Sequence, residues 1–476
     1  MEEKENSDPS PLCPAWRRRG GSFHCLERSE EMPLFHQHQL HEPPDQRTKM
    51  LETPVPSLIV TLAIPTIISM MVTSIYNMAD TYFVGQIGTS ATAAVGVALP
   101  LMAVIQAIGF TFGQGSGNTV SRLLGQQKRE EAESMISVAF FSAFLCGLVL
   151  GVLGTIFIEP MVHFLGATDT SAPYTIDYVH FILIGAPFMV SSLVLNNQFR
   201  FQGNAVFGMV GIFSGAIVNI VLDPIFIFAL DLGTGGAALA TILSQFLSFC
   251  LLVGGTFRGT NIPLSFRQFR PSLDKYRIIL ANGLPSFWRQ ALASLATILL
   301  NVAGRNCGGD TVVAAMSIVS RVTMFAGSGI IGFGQGYQPV CGFNYGAGLY
   351  GRVREAFHFF FRVALIAALA LSILGFLFAP QVVALFRRDD PEVIYIGALA
   401  LRLQCITFPL MSWLFPASMT LQTIGRSFKA TVLAMCRQGL TFVPLILVLP
   451  YLWGVFGIQA SQPLADILTF AVALPM

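Results

Sequence analysis

Charged residues are scarce in this chain. Asp, Glu, Lys and Arg make up 11% of its 476 residues, whereas ordinary soluble domains carry about 25%. Hydrophobic residues account for 53% of the chain. A chain of this composition has too few polar groups to cover a water-facing surface, so nearly all of it is predicted to lie in a membrane. The net charge of +2 indicates neither an acidic nor a basic partner, and nucleic acid is not expected as one.

The motifs of common enzymes are also missing. The chain contains no Walker A phosphate loop, no His-Glu-x-x-His zinc motif, no Gly-x-Ser-x-Gly nucleophile motif and no Cys-x-x-Cys pair. Its eight cysteines are scattered, most of them within apolar stretches, and form no disulfide framework. The sequence therefore predicts a protein that is not an enzyme, that needs no cofactor and that does not use ATP as fuel.

The first fifty residues differ in kind from the rest. They are polar and rich in proline, and they lack the apolar core of a signal peptide. A disordered tail over residues 1–50 is the preferred interpretation. Two alternatives stay open: His36, His38 and His41 form a pattern that is able to bind a metal, and translation could instead begin at Met50.

Twelve apolar runs follow, each of about 20 residues or more, which is the length that a membrane helix needs. Their approximate edges are 57–84, 92–118, 133–158, 173–199, 205–230, 235–257, 277–303, 311–340, 355–386, 392–423, 428–450 and 454–475. With the N-terminus inside, thirteen Lys and Arg residues fall in cytoplasmic loops and three in outer loops. Because cytoplasmic loops carry the excess of basic residues, both termini are predicted to face the cytoplasm from the cell inner membrane.

The two halves of the chain resemble each other. The sequence Phe-Gly-Gln-Gly of residues 112–115 recurs at residues 333–336, and Pro187 falls on Pro409 at nearly the same offset. Repeats of this kind occur in transporters built from two related bundles. We expect an all-α integral membrane protein whose twelve transmembrane helices form two pseudo-symmetric six-helix bundles around a central cavity. The predicted domains are an N-terminal bundle over 51–257, a basic cytoplasmic linker over 258–276 and a C-terminal bundle over 277–476.

Two carboxylates lie inside the predicted spans of the first half. Asp223 follows Asn219 by one helical turn and precedes Pro224, and an ionised Asp at the centre of a membrane helix costs roughly 2.5–3.5 kcal/mol. Asp80 in the first span and Thr241 in the sixth lie at a similar depth from the outer side. We therefore predict that Asp80, Asn219, Asp223 and Thr241 form one oxygen-rich site for a hard cation or a proton.

The internal repeat serves as a control for this site. Asp80 falls on Asn301 in the second half, and Asp223 falls on Leu445, so both acids are missing there. A one-sided coupling site is favoured over the alternative, in which each Asp makes an isolated structural hydrogen bond.

The second half carries charges of its own. Arg289, Arg321 and Arg402 lie near the middle of their predicted spans, and the nearest candidate counter-charge is Asp466 in the last span. Two interpretations stay open: an Arg–Asp pair that holds helices together, or a cavity wall that handles substrate or a proton.

Three stretches resemble the multidrug and toxin extrusion (MATE) family: IPTIISMMVTSIYNMADTYFVG in the first span, NIVLDPIFIF in the fifth and GGAALATILSQ in the sixth. The similarity covers residue 50 to the end and is greatest to the bacterial MepA-like and DinF-like branch. It implies a V-shaped pair of six-helix bundles. It also implies antiport, in which Na⁺ or H⁺ enters while an organic, usually cationic, drug leaves.

The resemblance also concerns the site residues. In several prokaryotic members the coupling cation binds at residues that correspond to Asp80, Asn219, Asp223 and Thr241, all of which are present here. Another branch uses acids in its seventh and tenth helices, where this chain has Arg289 and Arg402 instead.

The predicted function is therefore multidrug efflux by a protein expected to be a monomer in the lipid bilayer. A flippase for lipid-linked precursors is the alternative within the same superfamily. A membrane channel or receptor without pumping is the alternative from another class.

Overall fold

The computed structural model describes residues 46–87, 89–167, 171–259, 261–387 and 390–475. The predicted tail over residues 1–50, including His36, His38 and His41, lies almost wholly outside the described residues. Within the described ranges the chain is almost entirely helical and contains no strand.

Sixteen α-helices follow one another along the described chain. They are α1 (Gln46–Glu52), α2 (Val55–Gly85), α3 (Thr89–Gly125), α4 (Arg129–Ile156), α5 (Ile158–Phe164), α6 (Ala172–Phe201), α7 (Ala205–Pro224), α8 (Gly233–Thr256), α9 (Leu273–Gly346), α10 (Tyr350–Leu377), α11 (Ala379–Phe386), α12 (Pro391–Thr407), α13 (Met411–Thr423), α14 (Ser427–Met435), α15 (Phe442–Trp453) and α16 (Val455–Ala473).

Among the described helical stretches, eleven are long and apolar enough to cross a membrane, and α9 is one of them. At 74 residues, α9 would be roughly 110 Å long if it were straight, several times the thickness of a bilayer. It is instead broken at Gly308 and Gly309, whose backbone angles are not helical. Gly309 has a φ of +63°, a conformation that favours glycine. Because α9 therefore contains two spans, the predicted number of twelve spans is confirmed.

Several predicted spans are segmented rather than continuous. The fifth span consists of α7 and a π-helical turn over Ile225–Ala229, which begins directly after Pro224. Proline lacks the N–H that would continue the α-helical hydrogen bonds, so the break follows from the sequence at this point. A second π-helical turn, Cys436–Leu440, separates α14 from α15. Both segments are places where a transmembrane helix can bend.

We call the end of the molecule at which α2 and α7 begin the inner end, and the opposite end the outer end. Near the inner end, α3 and α9 touch backbone to backbone. A Cβ atom on Gly115 would lie 2.1 Å from the carbonyl oxygen of Ile279, and one on Gly283 would lie 2.2 Å from that of Thr111. Glycine is required at such contacts because any side chain would collide with the neighbouring helix. The glycines of the Phe-Gly-Gln-Gly repeat thus act as packing residues.

Polar side chains reinforce this closure of the inner end. Ser286 of α9 donates a hydrogen bond to Gln114 Oε1 of α3 at 2.9 Å. Thr423 of α13 donates one to Asn118 Oδ1 of α3, also at 2.9 Å. All four residues are buried. The first and second halves of the chain are therefore fastened together near the inner end by both glycine contacts and hydrogen bonds.

Candidate functional site

Three of the four predicted coupling residues meet in the structure. Asn219 and Asp223 lie one turn apart on α7, with 2% and 0% of their surface exposed. The Asn219 amide nitrogen donates to Asp223 Oδ1 at 3.2 Å and to Thr241 Oγ1 of α8 at 3.4 Å. The four-residue spacing on α7 places both polar groups on one helix face, and α8 then brings Thr241 to that face.

Asp80 approaches this group from α2 without a hydrogen bond to it among the described residues. Its charge acts on Asp223, so the two carboxylates lie within electrostatic range of each other. Two tyrosines lie within electrostatic range of both carboxylates: Tyr76, one turn before Asp80, and Tyr178 of α6. The two tyrosines were missed in the sequence. Tyr76 could have been identified from the sequence, because it lies four residues before Asp80 and therefore on the same helix face. No feature of the sequence around Tyr178 indicates that it belongs to this site.

Three oxygen atoms at this site are buried and lack a hydrogen-bond donor among the residues that the structure describes: Asp80 Oδ1, Asn219 Oδ1 and Asp223 Oδ2. A buried acceptor that is left unsatisfied costs about 1–3 kcal/mol. The donor set contains carboxylate, amide and hydroxyl oxygens but neither His nor Cys, which fits a hard cation or a proton and not a soft metal. A small cation or a proton bound here would satisfy these oxygens.

A cavity of about 150 Å³ leads away from the coupling residues. Asn219, Thr241 and Tyr76 line it at one end. Arg200 of α6 and Gln335 of α9 also line it, and they lie much closer to the inner end. The cavity therefore connects the polar group on α7 and α8 with a buried arginine.

Arg200 lies just beyond the predicted span 173–199 and so counts among the thirteen basic residues expected in cytoplasmic loops, but in the structure it is an interior residue. It is the penultimate residue of α6 and has 3% of its surface exposed. Its Nη1 donates to Gln335 Oε1 and its Nη2 to Asn197 Oδ1, both at 2.5 Å, while its Nε is buried without a partner. Hydropathy alone does not identify Arg200 as buried. An apolar stretch that ends in Arg has the same hydropathy whether the Arg side chain turns towards the interior or towards water.

The acid predicted as counter-charge in the second half has a different partner. Asp466 does not pair with Arg289, Arg321 or Arg402. Its Oδ1 accepts a hydrogen bond from Arg437 Nε at 3.1 Å, in an ion pair that joins α16 to the π-helical turn before α15. Asp466 is 4% exposed. The helix-pairing interpretation therefore describes Asp466, but with an arginine that the sequence did not single out.

The three predicted arginines have separate environments. Arg402 donates from Nε to the carbonyl oxygen of Phe376 at 3.3 Å, and its guanidinium lies 5.7 Å from the centre of the Phe376 ring. Arg321 is exposed, and Arg289 is half-buried. The charge of Arg289 acts on Arg200, which belongs to the other half of the chain. The structure thus does not gather these arginines into one cluster.

Comparison with known proteins agrees with the fold. The MatE family model matches residues 65–225 and again residues 285–448, which also confirms the internal repeat. Multidrug export protein MepA of Staphylococcus haemolyticus is 27% identical over 408 residues, which cover 85% of this chain and 89% of that protein. The FAD transporter of Shewanella oneidensis is 27% identical over 432 residues, covering 89% of this chain and 94% of its own.

Among solved structures, an outward-facing conformation of a multidrug resistance MATE family transporter superimposes with a TM-score of 0.85. It is 27% identical in sequence, and the match covers 91% of this chain and 97% of that one. The fold, the repeated family match and these relatives agree with one another. The chain therefore belongs to the MatE family of membrane transporters, in its MepA-like branch.

Proposed function

We propose that this protein is a secondary-active antiporter that exports organic compounds, most of them cationic, in exchange for Na⁺ or H⁺. The observation that carries the proposal is the set of three buried, donor-free oxygens on Asp80, Asn219 and Asp223. Two buried carboxylates that repel each other are unfavourable without a cation or a proton between them. The MepA relatives support export of drugs, as their name states.

The coupling residues are suited to sense the ion and to move in response. Asn219 already holds Asp223 and Thr241 together, so an ion between Asp80 and Asp223 would draw α2 towards α7 and α8. The π-helical turn after Pro224 lets the outer part of the fifth span bend. A bound ion shifts the conformational equilibrium only if it binds one conformation better than the other. The unpaired oxygens of Asp80, Asn219 and Asp223 would provide this difference in affinity for the ion between the two conformations.

Substrate would have to enter the cavity from the inner side in another conformation. In the present one, the inner end is held by the backbone contacts at Gly115 and Gly283 and by the Gln114–Ser286 hydrogen bond. These contacts join α3 and α9, so they must separate for the inner end to open. Ion binding at the outer end and separation at the inner end are then two parts of one alternating-access cycle.

The remaining assignments complete this proposal. We place the protein in the cell inner membrane with both termini in the cytoplasm, on the basis of loop charge. Residues 51–257 and 277–476 would be the two bundles that rock against each other, with residues 258–276 as their linker. The working unit would be a monomer.

Transport in proteoliposomes tests the proposal directly. Efflux of a fluorescent organic cation is measured under an imposed Na⁺ gradient and, separately, under an imposed pH gradient. The wild type should pump the cation uphill under one of the gradients, and Asp80→Asn or Asp223→Asn should abolish uphill transport. Asp177→Asn is the matched control, because Asp177 is exposed on α6 and should leave transport intact.

Other outcomes would contradict the antiporter. Uphill efflux by Asp223→Asn at the wild-type rate would remove the coupling site. Movement of the cation only down its own gradient would indicate a channel. Absence of drug transport together with rescue of a cell-wall precursor defect would indicate the flippase.

A further inference from the structure

The basic linker between the two predicted bundles is packed against α4. Ser134 of α4 donates a hydrogen bond to the carbonyl oxygen of Gln268 at 3.0 Å, and Lys275 donates from Nζ to Ser134 Oγ at 2.6 Å. Further along α4, the ring of Phe141 lies 4.8 Å from the ring of Phe266, measured between their centres. These contacts hold the linker on α4 over a length of roughly 10 Å.

The covered part of α4 belongs to the apolar span predicted over 133–158, and α4 is long and apolar enough to cross a membrane. Phe141 lies roughly 12 Å along α4 from the inner start of that span. None of residues 134–144 is exposed, whereas Leu145 and Leu148 in the outer half of α4 are. The linker therefore takes, on the inner half of α4, the place that lipid has on the outer half. The free surface of the linker itself then faces lipid.

Five exposed residues of the linker and of the first turns of α9 combine apolar and basic side chains. We call them the linker patch: Phe266, Arg267, Arg270, Leu273 and Arg277. Phe266 and Leu273 have 73% and 85% of their surface exposed, an arrangement that suits contact with acyl chains better than contact with water. The three guanidinium groups make no hydrogen bond or ion pair with the described residues. Exposed apolar side chains beside unpaired basic ones are typical of a segment that lies in the membrane interface.

The linker has almost no negative charge of its own to pair with these groups. Between positions 258 and 277 there are five basic residues and one acid, Asp274. Lys275 is already held by Ser134 and by the carbonyl oxygen of Arg270, the latter at 2.9 Å. The planar guanidinium of arginine binds two phosphate oxygens at once, and basic segments next to a membrane attract anionic lipids. A lipid phosphate is therefore the partner that the free guanidinium groups lack.

We propose that the linker patch is a binding surface for anionic phospholipid in the leaflet at the inner end. Phe266 and Leu273 would lie among the acyl chains. Arg267, Arg270 and Arg277 would bind the headgroup phosphate, whose charge an anionic lipid does not cancel with a cationic group of its own. The lipid binds on the outside of the protein, away from the cavity that contains Asn219, and is not transported. The proposal does not rest on antiport or on the identity of the coupling ion.

The test is fluorescence quenching of the full chain reconstituted in phosphatidylcholine vesicles, without any gradient. Phe266→Trp places an indole in the linker patch, and the wild type gives the signal of the four native tryptophans, which is subtracted. Brominated phosphatidylglycerol, which is anionic, is compared with brominated phosphatidylcholine, which is zwitterionic, at equal mole fraction. The relative binding constant at this indole should favour phosphatidylglycerol by about tenfold or more, since several arginines attract it.

Arginine variants in the Phe266→Trp background show which groups bind the lipid. Arg267→Gln and Arg270→Gln should each lower the preference for phosphatidylglycerol by about fivefold, the contribution of one basic residue near an anionic surface. Arg354→Gln is the matched control, because it makes the same substitution at an exposed position near the inner end of α10. It should leave the preference unchanged.

A second reporter position separates the linker patch from the rest of the lipid-facing surface. Tyr451, near the outer end of α15, is 91% exposed, and residues 438–465 contain no charged residue. The indole of Tyr451→Trp should therefore be quenched equally by the two lipids. If Phe266→Trp does not yield folded protein, Leu273→Trp takes its place, because Leu273 is the most exposed residue of the patch.

Three results would overturn the lipid surface. The first is equal quenching by the two lipids at the linker reporter, or an unchanged preference when Arg267 and Arg270 are both replaced by Gln. The second is the same preference at Tyr451→Trp, which would make it a property of the whole surface. The third is loss of the preference on adding inorganic phosphate at constant ionic strength, which would show that the arginines bind a free anion and not a lipid. None of these measurements involves transport, so the antiport proposal stands or fails separately.

Discussion

Neutralising Asp223 should make the protein more stable and at the same time remove its response to the coupling ion. Asp223 is fully buried, and its Oδ2 has no donor. Asn has nearly the same shape, so in Asp223→Asn the remaining oxygen can still accept the hydrogen bond from Asn219. The substitution deletes a buried charge whose cost in a membrane helix is roughly 2.5–3.5 kcal/mol. Since the second half of the chain has Leu445 at the corresponding position, this part of the fold does not need an acid.

The net gain should be smaller than that cost, because the amide nitrogen that replaces Oδ2 at position 223 is itself a buried polar group, which must find an acceptor such as the unpaired Asp80 Oδ1. We expect an increase in the free energy of unfolding of about 1–2 kcal/mol in the absence of the coupling ion. For a chain of 476 residues, this corresponds to a rise in Tm of roughly 1–2 °C. The sign is the informative part, since most substitutions of buried residues lower stability.

The assay is thermal unfolding of the purified protein in detergent, with Na⁺ and with K⁺ at equal ionic strength. At a Na⁺ concentration one hundred times its Kd, the ion should stabilise the wild type by about 2.7 kcal/mol. Asp223→Asn should show no such difference between Na⁺ and K⁺. If the coupling ion is H⁺, lowering the pH takes the place of adding Na⁺ in the same comparison.

Two results would refute this reasoning. A lower Tm for Asp223→Asn without Na⁺ would mean that the carboxylate stabilises the empty fold. An ion response equal to that of the wild type would mean that the ion binds elsewhere. Asp177→Asn, the exposed control on α6, should change the free energy of unfolding by less than about 0.5 kcal/mol.

Three further outcomes are expected. Gly115→Ala should reduce the yield of folded protein, because its Cβ would lie 2.1 Å from a carbonyl oxygen of α9. Gly327→Ala is the control, because a Cβ there has open space around it. Size-exclusion chromatography measures the yield of both variants, and equal yields would contradict the backbone contact. Asp466→Asn should lower the free energy of unfolding by about 1–3 kcal/mol, because it leaves a partly buried Arg437 unpaired. Arg321→Gln, at an exposed position, should leave the free energy of unfolding unchanged. Thermal unfolding measures both variants, and an unchanged Tm for Asp466→Asn would refute the ion pair. Tyr76→Phe should weaken ion activation of efflux without abolishing efflux, since Tyr76 lies one turn before Asp80 and lines the same cavity as Asn219 and Thr241. An unchanged ion dependence would separate Tyr76 from the site.

The sequence alone determined the features that depend on local pattern. Hydropathy over about 20 residues marks a membrane helix wherever it lies, so the twelve spans were predictable, including the division of α9 at Gly308 and Gly309. Helical periodicity fixes relative positions within one helix, so the pairing of Asn219 with Asp223 was predictable as well. The break after Pro224 follows from the chemistry of proline. The internal repeat is visible as matched letters and needs no coordinates.

Only the tertiary structure decided which side chains from different helices meet. The rotation of each helix about its own axis determines whether a side chain near its end turns inward, and this is why Arg200 is buried although its sequence context is that of a loop. Asp466 could face any of several arginines at similar depth, and packing of α16 against the turn before α15 selects Arg437. Tyr178 approaches the two carboxylates for the same reason. Such choices arise from the packing of whole helices, which no single stretch of sequence encodes.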